Sequence, residues 1–327
     1  MDTNSDKQPD VVKPGATEFL TFMGLPRVSD LSMVDAKVAI IGVPCAVPYP
    51  GYGAYCAGGP TAIREASATR QGLASPSHKL KNFDFDLGGP IFEDGEVSAV
   101  DCGDLGYDEK DSTKNRLAIR TAIETLLDKG TIPIVIGGDD SSPIPVMEAF
   151  HDKGKLTVIQ IDAHIDWLDE VDGERWCGSS PMRRASEMSH VDRIIQIGAR
   201  GLSSARLSDV EDARRWGVNF IPAQEVFAKG IQPVLDLVPE GSNVLFTFDC
   251  DGLDPSIMPA VISPAPGGLT FWQALDIMHG VAAKARIAAF NLVELMPERD
   301  IEKQGALLAG RIIVNAMGLA VRQAARG

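Results

Sequence analysis

Eight short runs rich in apolar and β-branched residues recur along the chain, at Lys37–Gly42, Val97–Cys102, Ile132–Ile136, Leu156–Ile161, Arg193–Ile197, Val218–Ile221, Val244–Phe248 and Ile287–Leu292. Most lack the polar alternation of a half-exposed strand, so they read as strands buried on both faces. Helical patterns lie between several of them. Leu117, Ile119, Ile123, Leu126 and Leu127 follow a helical spacing after the N-cap candidate Ser112, and Asp128-Lys129-Gly130 supplies a stop. Strand, helix, strand repeated in this way predicts βαβ units and a parallel sheet.

No internal repeat or low-complexity linker interrupts the pattern, so 327 residues are expected to form one α/β domain over 31–327, preceded by a polar tail or arm over 1–30. Gly305–Arg326 reads as a single closing amphipathic helix. Two strand-free stretches, Pro44–Pro60 and Asp254–Gly268, are rich in Gly and Pro, and loops this long in a compact domain are commonly functional.

No run of ~18 apolar residues predicts a membrane span, and the first thirteen residues lack the apolar core of a secretory signal. Five cysteines, Cys45, Cys56, Cys102, Cys177 and Cys250, occupy no CxxC or Cys/His spacing. That disfavours a disulfide framework and a structural zinc, and points to a reducing cytoplasm. A formal charge of −14 argues against nucleic acid and anionic membranes as partners; it would either concentrate a cationic substrate or simply keep the chain soluble.

In parallel α/β sheets ligands bind beyond the carboxyl ends of the strands. Three acidic clusters sit there: Gly137-Gly138-Asp139-Asp140-Ser141, Asp162-Ala163-His164-Ile165-Asp166 and Asp249-Cys250-Asp251-Gly252-Leu253-Asp254-Pro255. Asp162, His164 and Asp166 alternate with apolar residues, so in an extended segment they point to one side, and Asp249 and Asp251 share the spacing. One Asp after a strand is ordinarily a helix cap or turn residue. Several carboxylates converging with a His would raise one another's pKa unless a cation neutralised them, which makes a divalent metal site the economical explanation. Oxygen ligands with an imidazole suit Mn, Ni, Co, Fe or Zn.

These motifs resemble those of the ureohydrolases, the superfamily of arginases and agmatinases, and the pattern is closer to agmatinases. Asp162-Ala163-His164-Ile165-Asp166 matches the family's Asp-Ala-His-x-Asp, and Thr247-Phe248-Asp249-Cys250-Asp251-Gly252-Leu253-Asp254-Pro255 matches its Ser-Phe-Asp-x-Asp-x-x-Asp-Pro. The likeness runs from about Gly42 to Glu294-Leu295-Met296-Pro297. It implies a three-layer α/β/α fold around an eight-stranded parallel sheet and a trimeric or hexameric assembly. The implied chemistry is metal-dependent hydrolysis of a C–N bond in a small guanidino compound, with agmatine leading and guanidinobutyrate, guanidine or a biguanide as alternatives. Two divalent ions, Mn or Ni, would be held by Asp162, His164, Asp166, Asp249 and Asp251, with Glu294 pairing with the guanidinium.

Two positions depart from the family pattern. Asp140 stands where relatives carry a ligand His; direct ligation is favoured, with ligation through water, a weak metal or a helix N-cap as alternatives. Cys177 stands where many relatives have a proton-shuttling His. It would serve in catalysis only with a depressed pKa and otherwise reads as a wall residue, which leaves the bridging water itself or Asp166 to move the proton. Tyr49, Tyr52 and Tyr55 are candidates to line a substrate pocket, and Trp176, with Trp167, to frame its mouth. His78, His151, His190 and His279 lack ligand spacing and read as surface or packing residues. Outside enzymes, the competing reading is a noncatalytic partner of a homologous active subunit.

Overall fold

Strands form where the apolar runs lie: β1 (Val38–Val43), β4 (Ala99–Asp104), β5 (Ile132–Gly137), β6 (Leu156–Ile161), β7 (Val191–Ile197), β8 (Asn219–Ile221), β9 (Asn243–Asp249) and β10 (Arg286–Val293). All eight pair in parallel in one sheet of order β4-β1-β5-β10-β9-β6-β7-β8. A two-stranded antiparallel hairpin, β2 (Phe83–Asp84) with β3 (Gly89–Pro90), was not expected. The computed structural model describes residues 19–68, 79–202 and 205–326; His78 falls outside them.

Helices α1 (Gly59–Ala68), α2 (Ser112–Asp128), α3 (Pro143–Glu148), α4 (Pro181–Ser186), α5 (Leu207–Trp216), α6 (Ala223–Lys229), α7 (Gln232–Leu237), α8 (Phe271–Lys284) and α9 (Gln304–Arg326) cover the sheet. Alternate residues of one strand feed separate apolar clusters, which explains why the runs lack polar positions. Val38 and Ile40 join Ile63 of α1, Ile277 of α8 and Ile312 of α9 on one face. Ala39 and Ile41 join Ile119 of α2, Met147 of α3 and Met182 of α4 on the other. The result is the expected three layers.

Helix α2 starts at Ser112, but its cap is Asp111, whose carboxylate accepts the Lys114 N–H at 3.0 Å; the sequence reading misplaced the cap by one residue. The last helix spans Gln304–Arg326. Its stretch Gln304–Ala324 is apolar and long enough to cross a membrane, yet most of it is buried within the fold, and it serves as a core helix. Upstream of β1, Phe22, Met23 and Leu25 are buried in the same cluster as α9, and the Phe22 N–H donates to Asp101 at 2.7 Å.

Strand order is what creates the site. The chain passes from β5 to β6 across a gap that β10 and β9 later fill, so four adjacent central strands end side by side. These four carry the acidic segments, at the kind of switch point where open α/β sheets bind ligands.

Candidate metal centre

Beyond the carboxyl ends of β5, β6, β9 and β10 lies a cavity of about 320 Å³. Its wall includes Asp140, His164, Asp166, Asp249, Asp251 and Glu294, with Tyr49, Tyr52 and Tyr55 from the loop after β1. Two groups of ligand atoms converge, each within 4.8 Å of one another: Asp162, His164 and Asp251, and Asp140, Asp162 and Asp249. Asp162 belongs to both. A pair of ions sharing that carboxylate fits this arrangement.

Local geometry explains the convergence. Strand β6 ends at Ile161, and the motif that follows is not extended throughout, as simple alternation supposed; Asp166 sits at φ 42°, in the left-handed region. Glu294 likewise has φ 68° immediately after β10. Such backbone in a non-glycine residue costs on the order of 1 kcal/mol or more and is concentrated at functional sites. The Glu294 N–H is held by the Gly138 carbonyl at 2.8 Å, and Gly138 is obligatory because a Cβ there would lie 1.8 Å from the Pro44 carbonyl oxygen.

Electrostatically the site is unfinished. Asp140 is 3% exposed, both its carboxylate oxygens lack a hydrogen-bond partner, and it caps no helix, since the N-cap of α3 is Ser142. Burial, and then the charges of Asp166, Asp162 and Glu294, push its pKa well above the carboxylate range. Asp162 and Asp249 are raised by burial and by neighbouring carboxylates in the same way. Glu294 is pushed up to about 8, chiefly by burial. His164 moves the other way from a buried base: burial lowers it, but hydrogen bonds to Asp162 and Asp251 prevail and carry it up to about 12. Its Nδ1 lies 3.0 Å from Asp251 and 3.4 Å from Asp162. A proton on the ring thus does part of the work a cation would do, and orphaned, buried oxygens are what an oxophilic divalent ion would satisfy.

The metal-free chain should therefore lose stability as pH rises. Carboxyls raised in the folded state bind more protons there than in the unfolded chain, so their contribution is complete below about pH 4 and is lost as pH climbs toward the value near 8 at Glu294. His164, raised from its ordinary value to about 12, acts with the same sign above neutrality. Thermal unfolding in chelator from pH 5 to 8 is expected to show a falling midpoint, and added Mn²⁺ should flatten the slope. A rising midpoint in chelator would contradict the charge distribution described.

The remaining expected residues are distributed unevenly. Asp166 lines the cavity without joining either three-ligand group, and it accepts from Gln160 at 2.5 Å. Tyr52 is exposed at the mouth; the three tyrosine rings stand 6.1–6.3 Å apart, tilted or edge to face. Tyr55 donates to Glu294 Oε1 at 2.6 Å and the Asp140 N–H reaches the same oxygen at 2.8 Å, so that oxygen is engaged from two sides.

Two expectations are corrected. Cys177 is fully buried, its thiol faces Ser180 Oγ at 3.5 Å, and burial raises rather than depresses its pKa; Gly178 and Ser179 line the cavity instead. Trp176 is not part of the cavity wall: its ring stacks under the Arg116 guanidinium at 4.2 Å. His190 bonds the Met147 carbonyl, His279 pairs with Asn315, and neither lines the cavity, as expected of packing residues.

Sequence reasoning missed several contributors. Ile262, Ser263 and Arg299 complete the wall. Arg299 Nη1 donates to the Val261 and Ile262 carbonyls at 3.1 and 2.7 Å. Arg200 ties the segment after β9 by donating to the Asp251, Leu253 and Ala265 carbonyls. Asp254, held down to about 2 by Ser256 and the Gly267 and Gly268 N–H groups, folds that loop and stays out of the ligand groups. Asp254 stood in the sequence motif; for Ile262, Ser263 and Arg299 the loop-like composition around them was the signal.

Comparison with known proteins agrees with this geometry. Residues 36–318 match the Arginase family. Guanidinobutyrase from Pseudomonas aeruginosa is 29% identical over 303 residues, covering 90% of this chain and 89% of that protein. Mitochondrial agmatinase from Gallus gallus is 30% identical, over 74% of this chain and 72% of that protein. The solved structure of proclavaminate amidinohydrolase from Streptomyces clavuligerus superposes with a TM-score of 0.77 at 26% identity, covering 94% of this chain and 98% of that one.

Proposed function

Because the chain belongs to the arginase family, we propose that it hydrolyses a C–N bond of a small guanidino compound at a dinuclear metal site, releasing urea and an amine where the substrate is a simple guanidine. The observation that carries this reading is the buried Asp140 carboxylate without a partner, set among Asp162, Asp249 and the His164–Asp251 pair. Asp140, Asp162, His164, Asp249 and Asp251, with Asp166 beside them, would hold the ions. When bound, the ions would supply a nucleophile from water near neutral pH and would neutralise the carboxylates. Mn is the family default and Ni the second choice.

The chain's own residues account for the rest. Tyr55 and the Asp140 N–H occupy one oxygen of Glu294, leaving the other to accept from a guanidinium N–H and fix its plane. Asp166, on the cavity wall and held by Gln160, is placed to take a proton and return it to the departing amine. The assay that tests the reading is urea release from a panel of guanidines with Mn²⁺ or Ni²⁺. No turnover of any of them would sink it.

Resemblance to agmatinases makes agmatine the leading substrate. One observation favours a guanidino acid as the second reading: Arg299 is the one cationic side chain among Lys and Arg on the cavity wall of the described residues. A carboxylate tail would meet it favourably and an ammonium tail would not. Reversing that charge, Arg299→Glu, is expected to shift the ratio of kcat/KM for agmatine over 4-guanidinobutyrate by about tenfold or more, as rim charges at partly exposed positions are worth on the order of 1 kcal/mol. An unchanged ratio would leave Arg299 without a part in selection.

The same reading extends to a cytoplasmic trimer or hexamer, a matter for light scattering of the full chain; the boundary expected at residue 31 is corrected, because Phe22, Met23 and Leu25 are already buried in the core of the domain.

A further inference from the structure

Beneath the cavity, one row of the sheet is polar where its neighbours are apolar. Asn291 of β10, Thr247 of β9, Gln160 of β6 and Gln196 of β7 stand in register across four adjacent strands. Each is at most 1% exposed. Polar side chains in a strand interior are costly unless bonded, so their placement calls for a reason.

Gln160 gives the clearest one. Its Nε2 donates to Asp162 Oδ2 at 2.7 Å and to Asp166 Oδ2 at 2.5 Å, using both hydrogens on two carboxylates of the site. Its Oε1 accepts from Gln196 Nε2, which also donates to the Ile165 carbonyl at 2.7 Å. A backbone carbonyl can only accept, so the Gln196 amide has one possible orientation, and that orientation dictates the Gln160 amide in turn. Flipped, Gln160 would set its oxygen against two carboxylates. The rest of the row is not saturated: Gln196 Oε1, Thr247 Oγ1 and both amide atoms of Asn291 have no hydrogen-bond partner. A network kept for stability alone would not leave four such atoms bare.

We infer that Gln160, locked by Gln196, is a positioning residue that aims Asp162 and Asp166 into the metal centre. A neutral double donor suits this role, since it holds two carboxylates side by side without bringing a positive charge to compete with the ions. Because Asp162 belongs to both ligand groups, its aim affects both. This rests on the metal-centre reading above.

Metal titration of the full-length chain tests it. Wild type, Gln160→Met, Gln160→Glu, Gln196→Leu and the double variant Gln160→Met/Gln196→Leu are stripped with chelator, then titrated with Mn²⁺ by calorimetry and with Co²⁺ by visible absorption. Gln160→Met should weaken metal binding by about 10- to 100-fold, the usual effect of losing a group that orients a ligand. Gln160→Glu should weaken it further, Gln196→Leu less, and the double variant by less than the sum of the two single losses, because Gln196 acts largely through Gln160 and otherwise only through its bond to the Ile165 carbonyl. The Co²⁺ spectrum should change in the position-160 variants. Wild-type affinity and spectrum in the position-160 variants would overturn the inference while leaving the metal centre standing, as would strictly additive losses in the double variant. A wild-type chain that binds no metal would overturn both. Should the position-160 variants fail to fold, Gln196→Leu decides alone, its wild-type behaviour counting against the inference.

Discussion

Asp249→Asn is expected to cut urea release at least about a thousandfold, about 4 kcal/mol of transition-state stabilisation, while making the metal-free protein more stable. The two effects have opposite signs for one reason. Asp249 is buried among Asp251, Asp162 and Asp140, and burial followed by those charges raises its pKa well above the ordinary range. Its Oδ1 accepts the Asp251 N–H at 2.7 Å, a bond an asparagine oxygen can keep. The substitution therefore removes charge without removing the local turn. In chelator the thermal midpoint should rise by about 1–3 °C; with Mn²⁺ present the variant should gain less than wild type, because one ligand group has lost a member. A variant as active as wild type would remove Asp249 from the centre, and a metal-free variant that melts earlier would mean that the carboxylates do not repel as described.

Glu294→Gln should separate substrate recognition from metal binding. Glu294 is 5% exposed and stands outside both three-ligand groups. Leaving a guanidinium without its buried carboxylate costs on the order of 2–5 kcal/mol, so kcat/KM should fall by about 30- to 5,000-fold. Metal content should stay at the wild-type level. The Asp140 N–H and Tyr55 hydroxyl can still donate to the amide oxygen, so the fold should hold. Loss of metal in this variant would place Glu294 among the ligands; unchanged kcat/KM would dismiss it as the guanidinium partner.

Much of this was legible in the sequence because parallel strands buried on both faces are written as unbroken apolar runs. All eight such runs became the eight strands of the sheet, and the acidic segments fell at their carboxyl ends. The β2–β3 hairpin escaped because two-residue strands have no period to detect. Asp111 rather than Ser112 caps α2 because adjacent residues of similar capping strength differ only in which one leaves helical geometry.

At the site, spacing identified the carboxylates but not how they are held. Asp166 reaches the cavity through a left-handed backbone that alternation along an extended segment does not describe. Cys177 and Trp176 were named from their place in a motif, yet which side of a loop a residue faces is set by tertiary packing, here against Ser180 and Arg116. Arg299 comes from a segment remote in sequence from the acidic clusters and carries no ligand spacing. Gln160 and Gln196 did leave a signal: each is an amide set between isoleucines in the buried part of its strand, two residues before the motif in one case. Its meaning required the register, which places them side by side.

The most direct test is a crystal structure of the full chain grown with Mn²⁺ or Ni²⁺, with anomalous data collected at the metal edge. Two peaks per chain are expected, one within ligand distance of Asp162, His164 and Asp251, the other of Asp140, Asp162 and Asp249, joined through Asp162. A cavity with no anomalous peak at saturating metal would contradict the account and favour a noncatalytic partner subunit, leaving the buried carboxylates to be held by protons alone.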